Sequence, residues 1–155
     1  EFEPIAAAES VVNLYAGKPP ISHDGGDRAY YMPVLDQIHI PERGQFGNGN
    51  EYYSTLFHEM AHSTGHESRL DRKSDHGGRE FGGQDYSCEE LVAEFGAAFL
   101  CGETGIINAT VENSAAYIQS WLGRLRGDRK LLVTAASAAQ KAADWIQGER
   151  PEETA

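Results

Sequence analysis

A chain of 155 residues with 40% apolar side chains has room for one hydrophobic core and too little for a second full domain. Its net charge of -11 and pI near 4.9 argue against gripping a phosphate backbone, which takes clustered Lys and Arg to replace counterions. No run reaches the roughly eighteen apolar residues of a membrane span, and EFEPIAAAES lacks the basic start and apolar middle of a signal peptide, so the expected setting is cytoplasmic with no membrane partner.

In chain order, IAAAESVVNLYA at 5–16 has helical composition and stops at Gly17 before Pro19-Pro20. DGGD at 24–27 reads as a turn, and RAYYMP and QIHIP after it are short and rich in β-formers, which predicts a small antiparallel sheet. GQFGNGN at 44–50 is a loop, and EYYSTLFHEMAHSTG runs as a helix to Gly65. The stretch from His66 to Tyr86 is polar and carries several glycines, a long connection expected to act as a lid. Ser87 starts a strong helix, SCEELVAEFGAAFLCGE. Two amphipathic helices follow, over about 112–126 with Tyr117, Trp121, Leu122 and Leu125 on one stripe, and about 129–147 with Leu132, Ala135, Ala139 and Ile146. Gly127-Asp128 turns them into a hairpin, one domain is expected over 1–148, and 149–155 reads as a disordered tail. Cys88 and Cys101 lie thirteen residues apart in one helical stretch, about 20 Å at the helical rise and too far to pair, so they read as buried reduced thiols. The start at Glu1 in place of Met reads as a piece of something longer.

The chemistry concentrates in residues 55–70, TLFHEMAHSTGHESRL. HExxH on a helix sets two imidazoles one turn apart on one face, within reach of a single zinc ion. His58 and His62 have that spacing. Glu59, about 100° round the helix from His58, is placed to act on a water without ligating, the position of a general base. A catalytic zinc takes a third protein ligand and keeps a fourth position open. His66 follows Gly65, but the metzincin pattern HExxHxxGxxH would place its third histidine at Ser68. A histidine at a helix C-terminus is also accounted for by the macrodipole. In ELVAEFGAAFL, Glu94 sits among Val92, Ala93, Phe95 and Ala97, where a carboxylate is costly to bury without a partner. Glu90 shares its face four residues earlier. Glu90 is therefore taken as the third ligand and Glu94 as the acceptor for a ligand imidazole N–H, which fixes its tautomer. The competing role for Glu90 is N3 of a capping box opened by Ser87. Glu89 is expected in solvent. Without metal, His58 and His62 would be surface residues and a buried Glu94 would lack a partner.

HExxH followed by Glu90-Leu91-Val92-Ala93-Glu94 resembles the gluzincin arrangement of zinc peptidases. More specifically, YYSTLFHEMAHSTGHESRLDR, EELVAEFGAAFLC and AASAAQKAADWI resemble the C-terminal metallopeptidase domain of ArdC-type antirestriction proteins of plasmids and other mobile elements, over about Asp24 to Ile146. The resemblance implies an α+β zincin-like fold with a small antiparallel sheet and a larger helical part. It further implies zinc on His58, His62 and Glu90, catalysis by Glu59, and a protein or peptide substrate. The family's N-terminal domain, which binds single-stranded DNA, has no counterpart here. DNA contact is thus expected through that missing domain and not directly through this one, and antirestriction activity enters only by resemblance. In zincins a substrate commonly lies along an edge strand, for which Gln37–Ile40 is the expected element, with Ile38 and Ile40 inward and His39 outward. A donor for the oxyanion is also required; Tyr52, Tyr53, His66, His76 and Tyr86 are the candidates, with Tyr53, His66 and Tyr86 foremost. The rival reading, from the charge of -11, is a non-catalytic acidic domain that inhibits a restriction enzyme or other partner by contact.

Overall fold

The computed structural model describes residues 2–24, 26–72, 84–106 and 129–150, together with 115–116, 119–120 and 123; for 84–87 it describes the backbone alone. Among the described residues, four long α-helices and a three-stranded sheet are laid out as α1 (Ala6–Leu14), β1 (Ile21–His23), β2 (Tyr30–Met32), β3 (Gln37–Ile40), α2 (Gly49–Ser63), α3 (Gln84–Thr104) and α4 (Arg129–Ile146). Most of the expected lid, His76, the stripe and turn expected over 112–128, and the tail 151–155 lie outside the described residues. Among the described residues, no helix is long and apolar enough to cross a membrane.

Helix α1 buries Ala8, Val11 and Val12 and is followed by Gly17 at φ +69°, a left-handed turn that suits glycine. The expected antiparallel pair is present, β2 against β3 in the register Tyr30↔His39, Tyr31↔Ile38, Met32↔Gln37. A third strand, Ile21–His23, joins the other side of β3 in parallel, so the sheet is mixed and ordered β1-β3-β2. Gln37–Ile40 is therefore the central strand, with both edges hydrogen-bonded, and not the open edge expected from the sequence. Ile38 and Ile40 do point into the core and are fully buried.

The turn between β2 and β3 closes with Asp36 at φ +49°, a conformation that Asp tolerates better than most residues. Its carboxylate accepts from Tyr31 Oη at 2.7 Å and takes a two-pronged grip from Arg69, Nη1 to Oδ1 at 2.8 Å and Nη2 to Oδ2 at 2.9 Å. Arg69 also donates to the carbonyls of Ser63, the last residue of α2, and of Gly17. One side chain thus pins the hairpin, the end of α2 and the turn after α1. The Arg69 hydrogen bonds, with the Tyr31 hydroxyl adding to them, outweigh burial and hold the Asp36 carboxyl below its ordinary value. With the folded-state pKa below the unfolded one, this contribution is whole above the unfolded value of 3.8 and is lost as pH falls through the folded one. Asp36→Asn is expected to lose about 1.5–3 kcal/mol at neutral pH, the range for a hydrogen bond to a charged group. The gap from the parent should shrink as pH falls below the unfolded value of 3.8. Urea midpoints for both proteins across that range give the answer, and a gap independent of pH would count against the assignment.

Helix α2 starts where the Asn48 side chain accepts the Glu51 N–H at 3.0 Å, an N-cap. One face buries Tyr53, Leu56, Phe57 and Met60 against the sheet and α1, in a core shared with Tyr15, Leu100 and Ile146. Helix α3 packs on both α2 and α4. The crossing is made tight by small residues: Ala135, Ala139, Ala142 and Ala143 of α4 are fully buried, and a Cβ on Gly96 would stand 3.1 Å from Ala61 Cβ. That is inside the roughly 3.5–4.0 Å of a good carbon–carbon contact, so glycine is what lets α3 approach α2. Gly96→Val is expected to cost about 1–3 kcal/mol by overpacking, despite its better helix propensity. A urea midpoint equal to the parent's would show slack at the crossing.

Candidate metal centre

The face of α2 next to the core face carries His58 and His62, and across from it α3 presents Glu90 and Glu94. The two imidazole rings lie 4.9 Å apart, edge to face. His62 Nε2 is 2.9 Å from Glu90 Oε1 and His58 Nε2 is 3.4 Å from Glu90 Oε2. One ligand atom from each of His58, His62 and Glu90 falls within 4.8 Å of the others. Donors around a tetrahedral zinc at 2.0–2.2 Å stand roughly 3.4 Å apart, so the spacing fits an ion at the centre. The donor set of two imidazole nitrogens and a carboxylate oxygen is also one that zinc accepts. These side chains are 14–20% exposed, open enough for a ligand from solvent to reach the centre.

The far side of each ring is also occupied. His58 Nδ1 donates to Glu94 Oε2 at 3.1 Å and His62 Nδ1 donates to Glu89 Oε1 at 3.3 Å. With Nδ1 committed as donor, each Nε2 is turned toward Glu90. Burial would push both imidazoles down, but Glu90 and Glu94 around His58, and Glu89 and Glu90 around His62, raise them to about 10 and about 9. The same contacts overcome burial to draw Glu90 far below the carboxylate range and Glu89 to about 2.

Glu59 lies beside this cluster, 7% exposed, its carboxyl pushed up by burial against the lowering pull of His62 and His58. The backbone of Tyr31, in β2, adds a smaller lowering pull from the sheet side. The strand on that side is β2, whose outer edge has no strand partner among the described residues.

Several expectations are corrected. Glu89 is not in solvent: besides His62 it accepts from Arg72 Nε at 3.1 Å and Nη2 at 2.9 Å. Helix α3 begins at Gln84, so Ser87 is inside it and Glu90 is not the N3 residue of a capping box. Tyr53 is fully buried with its hydroxyl donated to Glu9, and Tyr52 shares its hydroxyl with His23 at 2.7 Å, so neither faces the centre. His66 lies outside the cluster, its Nδ1 accepting from the Ser68 N–H at 3.1 Å. His39, expected to face outward from the strand, is paired with Asp24 and stacked on Tyr30. Tyr86 is on α3, but its side chain is outside the described residues. Arg72 was not read from the sequence at all; the one local sign was Gly65, where a Cβ would stand 3.0 Å from Arg72 Nη2.

The model of the zincin-like metallopeptidase family matches residues 7–138. The chain belongs to the zincin-like metallopeptidase family. It is 41% identical over 133 residues to DNA primase TraC of Escherichia coli, covering 86% of this chain and 12% of that protein. It is 40% identical over 126 residues to protein y4eC of Sinorhizobium fredii, covering 81% and 40%. Among solved structures it resembles the antirestriction protein ArdC of plasmid R388. The metal-free form has a TM-score of 0.72 and 39% identity over 96% of this chain and 53% of that one. The Mn(II)-bound form has the same TM-score and 38% identity over 99% and 57%. The zincin-like chain thus spans about half of ArdC and about one eighth of TraC. The family is zinc-binding, which agrees with the donor set.

Proposed function

We propose that this zincin-like domain hydrolyses peptide bonds, with His58, His62 and Glu90 holding zinc and Glu59 as general base. The observation that carries this reading is the meeting of three ligand atoms from two helices beside a buried carboxyl of α2 that is not one of the three. Bound zinc supplies Lewis acidity, polarising a carbonyl and lowering the pKa of water. Glu59 accepts the proton of the attacking water and returns it to the departing amine. Burial raises the proton affinity of that carboxyl, which suits a group that must both take and give a proton near neutrality. Glu94 and Glu89 orient His58 and His62 through Nδ1. An extended segment of a protein substrate pairs along the open edge of β2, beside Glu59. The net charge of -11 leaves nucleic-acid contact to other parts of longer proteins such as ArdC.

The test is cleavage of a mixed peptide library by zinc-loaded protein and by the same protein after chelation. Cleavage that disappears with chelator and returns with zinc supports the reading. No cleavage by zinc-loaded protein, with inhibition of a restriction enzyme that survives chelation and weakens steeply with salt, would replace it by an acidic binding domain.

A further inference from the structure

We propose that Arg72 is a positioning residue for the metal centre: through Glu89 it fixes the ring of His62. The inference rests on the metal site proposed above and extends it by two residues and a glycine. Glu89 lies on α3 and His62 on α2, so a hydrogen bond between them orients the ring only if the two helices hold a fixed relation at that level. Arg72 supplies the relation. Its Nε and Nη2 grip the two oxygens of Glu89 at 3.1 and 2.9 Å, the fork geometry that a guanidinium offers a carboxylate. Its Nη2 also donates to the Ala61 carbonyl at 2.8 Å and its Nη1 to Thr64 Oγ1 at 2.7 Å. Ala61 precedes His62 in the last turn of α2, and Thr64 is the C-cap of that helix. One buried cation therefore ties the acceptor of His62 to the turn that carries His62.

Two features favour this over a helix cap that happens to touch Glu89. The carboxylate is gripped by both oxygens while one of them still accepts His62 Nδ1 at 3.3 Å, which leaves Glu89 little freedom to swing away. The site is also cut to the guanidinium, since a Cβ at Gly65 would stand 3.0 Å from Nη2 and 3.1 Å from Cζ. Gly65 is not among the positive-φ glycines, so it is this close approach, and not backbone conformation, that a side chain there would disturb, by pushing the guanidinium off its partners. A positive charge at Arg72 also offsets one of four carboxylates, Glu59, Glu89, Glu90 and Glu94, crowded around two imidazoles.

The test uses Arg72→Met, which keeps the stem and removes the donors, Glu89→Gln, which keeps the volume and removes the charge, and their double variant. Zinc affinity is read by chelator competition, ring geometry by the visible spectrum of the Co(II)-substituted protein, and fold by the melting temperature of the metal-free form. Each single variant is expected to bind zinc about 10- to 100-fold more weakly, the usual cost of losing an outer partner of a metal ligand. A changed Co(II) spectrum should accompany the loss, and the double variant should bind no worse than the weaker single, because Arg72 acts through Glu89. If Arg72→Met does not fold, Glu89→Gln carries the test. Zinc affinities within about threefold of a zinc-binding parent, with only the melting temperature lowered, would make Arg72 a helix cap and overturn the clamp alone. A parent that takes up no zinc would overturn the metal site and the clamp together.

Discussion

Glu59→Gln is expected to take up zinc as the parent does and to lose peptide hydrolysis by about 10²- to 10⁴-fold, the usual contribution of a positioned general base. Glu59 is excluded from the ligand set by position, since His58, His62 and Glu90 supply the converging atoms. Gln fills the same volume, so the buried pocket and the Tyr31 contact from β2 are kept while the proton acceptor is lost. A neutral amide removes the burial penalty on the Glu59 charge, the largest influence on that carboxyl, together with the weaker pull of His62 and His58, so the metal-free variant should melt no lower than the parent. Metal content and cleavage rate measured on one preparation separate the two effects. Full cleavage by the variant would remove Glu59 from the mechanism, and loss of metal would make it a ligand.

Glu90→Ala should do the opposite and strip the centre. Its two oxygens face both Nε2 atoms, at 2.9 and 3.4 Å, so its removal leaves a histidine pair with no third arm. The affinity loss should exceed the 10- to 100-fold typical of an outer-sphere change. The imidazoles also lose the carboxylate that helps hold them at about 10 and about 9, so both titrate at lower pH in the variant. Elemental analysis of protein purified without chelator should give about one zinc per parent chain and markedly less in the variant. Equal metal in both would place the third ligand elsewhere.

The same residues mark how far the sequence can be read. That His58 and His62 share a face follows from helical geometry, and Glu94 stands out because an apolar run makes a carboxylate expensive. Neither inference needs to know where α3 begins. Glu89 does: its partner is set by the crossing of α2 and α3 and by the turn that carries Arg72 back onto Ala61, and no periodicity records either. The strands fail for a related reason. Alternation in Gln37–Ile40 gives the faces of a strand but is silent on its neighbours, so a central strand and an edge strand read alike until Ile21–His23 is seen beside it. Ile21–His23 itself is too short to show a period. Tyr53 misleads because a tyrosine near HExxH invites a chemical role; five residues before His58 it falls on the core face, where its hydroxyl serves Glu9.

The contact of Gly96 with Ala61 has a further bearing on what the ion contributes. Every proposed ligand hangs from one of two helices whose separation is set by that glycine and by the alanines of α4, all within the hydrophobic core. In a zinc finger the ion organises the chain, and removing it unfolds the domain. Here the apolar core, and not the proposed ligands, sets the spacing of the two jaws. An ion bound there would enter a mould that the core has already shaped, so its affinity would not be spent on folding.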